Sequence, residues 1–408
     1  MNTERDTVEQ PDDGDFLAED EVAHVVEDEG AEPMSEDDDA GGASAEDDDD
    51  IDEDGEGAEG SAAGGEEIAF VDDSVQGFFD HREPVYAVSL HPSDPTLAAS
   101  GGGDDRSYLW RIDTGDKVFD LGVHTDSVVA VRFSSDGQFV ASGGMDGKLF
   151  VFRVDTGKLV QTLEGPSEIT WIDWHPKGNV ILAGSEDGSV WMWQIPSGNC
   201  MNVFTGHVEP VTCGQFTPDG KLIITGSADG SLIIWDPKTA TALHRFTPQD
   251  SRFHQSAITA LAINKDSTLI LSASQDGTAR LLHINGRILA SLDSHQDSVE
   301  AAGFSNHLPY AATGSVDGKI NIWDITSMRL RQSVQHEDAV IKLQWHQNAP
   351  LLTSCSSDMT VRSWDGRSGE CLKIWRGHQS PILDFSVRGD GGVVLTGSDD
   401  GTALVFQA

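Results

Sequence analysis

The chain is short of cysteine and of positive charge, and it has no long apolar run. Its four cysteines (Cys200, Cys213, Cys355, Cys371) form no CxxC pair and no Cys/His metal spacing, which excludes a zinc module or a disulfide framework as the source of the fold. A chain of 408 residues can build its own core, so reduced thiols and a cytoplasmic location are expected, with the nucleus a second compartment open to it. No stretch nears the ~20 apolar residues of a spanning helix. Met1-Asn2-Thr3-Glu4-Arg5-Asp6 lacks the apolar core of a signal peptide, so no membrane contact is expected. Lys and Arg number 26 against 69 Asp and Glu, a formal net charge of −43. Direct nucleic-acid binding is disfavoured, because phosphates would be repelled.

The charge is unevenly spread. Residues 1–67 hold 29 acids and a single base, Arg5, leaving 40 acids and 25 bases for the rest. Runs such as Glu46-Asp47-Asp48-Asp49-Asp50 repel themselves, and so polar a segment cannot bury enough apolar surface to offset its ordering entropy. Residues 1–67 are expected to be a disordered acidic tail.

The remainder is periodic. A small-residue strand, an Asp-Gly or close variant, and a strand usually ending in an aromatic recur, most clearly at Ile223-Ile224-Thr225-Gly226-Ser227-Ala228-Asp229-Gly230-Ser231-Leu232-Ile233-Ile234-Trp235. The Asp positions are Asp104, Asp146, Asp187, Asp229, Asp276, Asp317, Asp358 and Asp400, spaced 42, 41, 42, 47, 41, 41 and 42 residues apart. A His lies 22 residues before the Asp in six units (His124, His207, His254, His295, His336, His378) and 23 before it in the first, at His81. Alternating apolar residues after each His predict strands, and Asp-Gly between strands predicts a hairpin.

These units resemble WD40 repeats, with Gly206-His207 and Trp235-Asp236 intact. The resemblance implies an all-β, eight-bladed WD40 β-propeller over residues 68–408, one blade per unit. It also implies structural tetrads, in which Asp meets imidazole, imidazole meets hydroxyl and hydroxyl meets indole. Carried over by residue, these are His81, Ser100, Asp104 and Trp110; His207, Thr225, Asp229 and Trp235; His295, Thr313, Asp317 and Trp323; and His336, Ser354, Asp358 and Trp364. Phe152, Leu282 and Phe406 stand where other units have Trp, while unit three has Gly165 for His and Ala183 for the hydroxyl. Trp171 and Trp174 are candidates to fill the space left there.

Unit eight stops at Ala408, with no residues for a fourth strand. An open edge would be an aggregation liability. The segment 68–80, whose Ser74-Val75-Gln76-Gly77-Phe78-Phe79 aligns with the strand before His207, is expected to supply that strand and close the ring.

No catalytic constellation is found. The His residues fall one to a unit, too far apart for a metal site, and Gly101-Gly102-Gly103 has neither the following helix nor the Lys of a phosphate loop. The expectation is a protein that is not an enzyme and that uses no cofactor and no metal.

In a propeller of this family the His loops and the Asp turns share one face. Those loops carry Asp80, Glu83, Asp105, Asp126, Glu168, Glu186, Glu209, Asp297, Glu337, Asp338 and Asp399, with Arg82 and Arg106 the chief bases. Lysines gather at the opposite turns (Lys158, Lys177, Lys221, Lys238, Lys265). Clustered carboxylates raise the capture rate of a cationic partner, so a monomer binding a basic protein segment is expected. The acidic tail, the eight units and His124-Thr125-Asp126-Ser127-Val128 leading to Asp136-Gly137 are similar to the angio-associated migratory cell protein family. Its fungal relatives imply a dedicated chaperone for the basic N-terminus of a newly made large-subunit ribosomal protein. Two alternatives stay open: an adaptor or scaffold in a signalling or ubiquitin-ligase complex, and a histone-binding chaperone.

Overall fold

The computed structural model describes residues 71–165 and 167–407, and the tail expected over 1–67 lies outside them. Among the described residues, eight sheets of four strands repeat one plan. In blade four, Val211–Phe216, Ile223–Ser227, Leu232–Asp236 and Thr241–Phe246 follow in chain order from the inside outwards, each antiparallel to the last. The alternation of the sequence explains why. The middle strands are apolar on both faces because each blade packs between two others, whereas the outer strand Thr241–Phe246 is exposed at five of six positions. Core clusters accordingly lie between blades: Leu182 and Val190 of blade three pack with Val211, Ile223 and Trp235 of blade four.

Closure follows the sequence argument. Gln76–Phe78 pairs antiparallel with Ala403–Gln407, with Gln76 opposite Val405 and Phe78 opposite Ala403. The last blade therefore takes its outer strand from the start of the propeller. Just upstream, the Asp73 amide donates to Arg376 O at 2.8 Å, and the Arg376 amide to Asp73 Oδ2 at 2.9 Å.

A feature that period-two reading does not anticipate occurs in every blade. The inner strand carries a bulge at its second residue: Tyr86, Val129, Thr170, Thr212, Thr259, Glu300, Ile341 and Leu383 are skipped in the pairing. A bulge turns its side chain out of the ladder. Three of the eight use it to tie blades together. Thr170 Oγ1 donates to Val211 O at 2.6 Å, Thr212 Oγ1 to Ile258 O at 2.5 Å, and Thr259 Oγ1 to Val299 O. Inner strands from all eight blades line one central cavity of about 590 Å³.

Candidate acidic loop face

The tetrads set the geometry of the loops. In blade six, His295 Nδ1 meets Asp317 at 3.3 Å, Thr313 Oγ1 lies 2.8 Å from Nε2, and Trp323 Nε1 donates to that hydroxyl at 2.9 Å. Blade seven repeats this with His336, Asp358 (2.9 Å), Ser354 (2.8 Å) and Trp364 (2.8 Å). Each imidazole thus donates to the carboxylate through Nδ1 and accepts the hydroxyl proton at Nε2, so every member of these two tetrads is satisfied. Burial pushes the pKa of His124, His254, His295 and His336 down, and their aspartates pull it back only in part. Burial works the other way on Asp276, Asp358 and Asp400, but hydrogen bonds from histidine and threonine outweigh it and hold those carboxyls far below the usual range.

Two of the four expected tetrads depart from plan, and unit three, where none was expected, builds its own substitute. In blade four, Asp229 stands 3.6 Å from His207 Nδ1, and the Ser231 hydroxyl takes the direct contact at 2.8 Å. The residue after the Asp-Gly carries its own hydroxyl and slips between the two. In blade one, Trp110 Nε1 is buried without a partner among the described residues. Its ring lies stacked on Phe78, 5.1 Å away at an interplanar angle of 14°, whereas Trp235 meets Phe204 at 67°. The stacking turns the indole away from Ser100, although His81 still meets Ser100 (2.9 Å) and Asp104 (3.0 Å). In blade three, the tryptophan that stands in for the tetrad is Trp191, not Trp171 or Trp174. Its Nε1 donates to Ser189 Oγ (2.8 Å), which donates to Asp187 (2.6 Å). Trp171 instead lines the central cavity, held over Gly184 and Gly214, where any Cβ would sit 2.1 and 2.2 Å from its ring. Trp174 donates to Arg132 O.

Two further sets of hydrogen bonds fix the loops. The amide after each His donates to the repeat Asp, as from Gln296 to Asp317 (3.0 Å) and from Glu337 to Asp358 (3.0 Å). The amide before each Asp donates to the carbonyl three residues after the His position, as from Ala228 to Pro210 (2.9 Å) and from Val316 to Ser298 (2.9 Å). His loop and Asp turn are thereby bound at the same end of each blade. The Asp turn of one blade also lies against the His loop of the next, as Gly188 does against Glu209 O, Gly277 against Asp297 O, Gly318 against Asp338 O and Gly401 against Glu83 O, so these ends share one face. A serine closing the second strand also pins the carbonyl two residues past the His: Ser227 to Glu209 (3.0 Å), Ser315 to Asp297 (3.1 Å), Ser356 to Asp338 (3.1 Å). Three of the acidic positions therefore sit on backbone held in place.

All eleven proposed carboxylates fall on these loops. Ten are exposed and Asp105 is half-buried, in a turn position where its φ is +61° and six other blades have glycine. Two have a cation nearby. Lys117 Nζ meets Asp80 at 2.7 Å, and Arg362 Nη2 lies 3.6 Å from Glu337, which is 86% exposed. Glu83, Asp105, Asp126, Glu168, Glu186, Glu209, Asp297, Asp338 and Asp399 have no cationic partner among the described residues. Arg106 is engaged by Asp120 at 2.8 Å.

Sequence reasoning missed several charges. Arg280 and Arg362 lie at the loop ends of their strands, but both are buried and spent on Asp293 and Asp358. Glu300, re-aimed by its bulge, adds a carboxylate at the cavity. Below it Lys342 meets Asp384 at 2.6 Å, and burial raises the pKa of Asp173 to about 6. Some turns on the opposite face pair a cation with an anion, as in Arg111–Asp113 (3.0 Å), Arg153–Asp155 (3.3 Å), Arg388–Asp390 (2.9 Å) and Lys221–Asp219 (3.1 Å), whereas Lys158, Lys177, Lys238 and Lys265 have no carboxylate partner among the described residues.

The comparisons agree with this architecture. The family described as "WD domain, G-beta repeat" matches eight times, over 73–111, 115–153, 157–194, 198–236, 247–282, 286–324, 328–365 and 369–407. The human angio-associated migratory cell protein is 35% identical over 351 residues, covering 82% of this chain and 80% of the relative. A WD repeat-containing protein of Schizosaccharomyces pombe is 37% identical over 348 residues, covering 83% and 87%. Among solved structures, Sqt1 of Chaetomium thermophilum, bound to the N-terminus of ribosomal protein L10, is 30% identical, with a TM-score of 0.78 over 83% of this chain and all of its own. With eight matched repeats in a closed ring, this chain belongs to the WD40-repeat family and, within it, to the angio-associated migratory cell protein family.

Proposed function

We propose that this protein is a dedicated chaperone that captures a basic segment of a newly made large-subunit ribosomal protein on its acidic loop face, as a monomer and without a catalytic step, and so supports ribosome assembly. The observation that carries the reading is electrostatic. Nine carboxylates without a cationic partner among the described residues sit on one face, on loops fixed by repeated hydrogen bonds, while lysines gather at the opposite turns. Such a face attracts a cationic polypeptide from a distance and loses little entropy when the polypeptide lands. The solved complex of Sqt1 with the N-terminus of L10 supports the choice of client class, since that protein shares the fold at 30% identity.

The test is purification of the tagged full-length chain at low and at high salt. One stoichiometric large-subunit ribosomal protein, retained at low salt and released as salt rises, is the expected result. Recovery of ligase subunits or histones in its place would overturn the proposal.

A further inference from the structure

One repeat interval breaks the period, the 47 residues from Asp229 to Asp276. The extra residues form a built loop after the outer strand Thr241–Phe246 of blade four. Asp250 N–H donates to Thr247 O at 3.0 Å and Phe253 N–H to Asp250 O at 2.8 Å. Phe253 is fully buried and stacks on Phe246, with centroids 5.3 Å apart. Arg280 Nε donates to the Arg252 carbonyl at 2.9 Å. The loop presents Arg252 outward, gripped at 3.0 and 2.7 Å by the two oxygens of Asp250.

Around this loop gather bases that the chain otherwise has few of. A hollow of about 390 Å³ is lined by His244, Arg245, Arg252 and Arg287, and a second of about 470 Å³ by Arg252, Arg280 and Asp293. The two meet at Arg252 and Ile288. Arg252 and Arg280 already hold a carboxylate each. Arg245 and Arg287 are exposed and hold none among the described residues. Both hollows run beside Arg287–Asp293, the outermost strand of blade five, which has no strand partner on its outer edge among the described residues. The first hollow has room because residue 286 is glycine, since a Cβ there would sit 2.4 Å from the His244 ring.

We infer that this edge is a second binding site, opposite in sign to the loop face, for an extended, carboxylate-rich peptide segment of a partner protein. The free edge offers alternating N–H and C=O groups to an extended backbone. Guanidinium forks at Arg245 and Arg287 match carboxylates two bonds at a time, the geometry that Asp250 already shows on Arg252. A long polyanion such as RNA would carry its charge beyond the groove onto a propeller with 40 acids and 25 bases outside the tail. A short acidic segment ends within it.

The experiment uses the full chain and a fluorescein-labelled peptide of alternating Glu and Ser, followed by anisotropy at low ionic strength. Saturable binding is expected, weakening with added salt and at least tenfold weaker in the Arg245→Glu/Arg287→Glu variant, whose melting temperature should match the parent. Glu209→Lys/Asp297→Lys, which disables the loop face, should leave this binding unchanged. The inference is overturned by no saturable binding, by equal affinity in Arg245→Glu/Arg287→Glu, by loss in the loop-face variant, or by an RNA oligonucleotide displacing the peptide at lower concentration than unlabelled peptide does.

Discussion

Replacing Phe78 with alanine tests ring closure, and Phe79 beside it is the control. Phe78 is 1% exposed and stacks on Trp110 of blade one at 5.1 Å. It shares a cluster with Val85 and Val88 of blade one and Leu395 and Val405 of blade eight, so a single ring pins the closing strand to both ends of the propeller. Phe79 points the other way and is 65% exposed. A buried phenylalanine removes about 150–250 Å² from water, which at about 25 cal/mol per Å² bounds its contribution near 4–6 kcal/mol. Core Phe→Ala replacements cost about 3–5 kcal/mol. Phe78→Ala should therefore lose about 3–5 kcal/mol and Phe79→Ala about 0.5 kcal/mol or less. Against a total of about 5–15 kcal/mol for a typical domain, the first loss is large, and deletion of 68–80 should exceed it. Urea titration followed by tryptophan fluorescence measures both variants. The reasoning fails if Phe78→Ala costs no more than Phe79→Ala, because a one-residue slip of the closing strand would exchange the two faces.

Three further outcomes follow from the tetrads and the channel. Trp364 donates to Ser354 whereas Trp110 Nε1 has no partner among the described residues, so Trp364→Phe should cost about 1 kcal/mol more than Trp110→Phe in thermal melts. Acid should destabilise the ring in two stages, read as melting temperature against pH. Four histidines are held below their ordinary 6.5, so the unfolded chain takes up protons that the folded chain refuses as pH falls through that value. The tetrad aspartates, held below 3.8, add a second loss below about pH 4; a melting temperature flat from pH 7 to 3 would contradict this. Gly214→Ala, whose Cβ would fall 2.2 Å from Trp171, should cost about 1–3 kcal/mol of overpacking. That penalty should vanish in a Trp171→Ala background, a coupling that a double-mutant cycle reads directly.

Blade number and closure were legible because they depend on counting. Eight Asp positions at a near-constant interval specify eight blades, and the likeness of Ser74-Val75-Gln76-Gly77-Phe78-Phe79 to the strand before His207 marks the segment that pairs with Ala403–Gln407. The finer geometry was not legible, because it turns on competition between neighbours within a few ångströms. Nothing in the spacing says that Ser231 would displace Asp229 from His207, or that Phe78 would turn the Trp110 indole from Ser100. Trp171 and Trp191 fall on different strands of the unit, and the glycines at 184 and 214 that seat Trp171 at the cavity, one on the adjoining strand and one in the next blade, come together only in the fold. Glu300 escaped notice because strict alternation hides a bulge. The carboxylates of the loop face could be named residue by residue from the repeat, but their pairing could not, since Lys117 and Arg362 reach Asp80 and Glu337 from outside those loops.

The central claim is that the loop face holds its client by charge. Its most direct measurement is the affinity of the full chain for a Lys/Arg-rich N-terminal segment of a large-subunit ribosomal protein, titrated with and without Glu209→Lys, Asp297→Lys, Glu337→Lys and Asp338→Lys together. Exposed pairs contribute about 0.2–1 kcal/mol each, and reversal adds repulsion, so the account predicts a loss of at least about 100-fold in a ring that melts as before. Undiminished binding by that variant would contradict it.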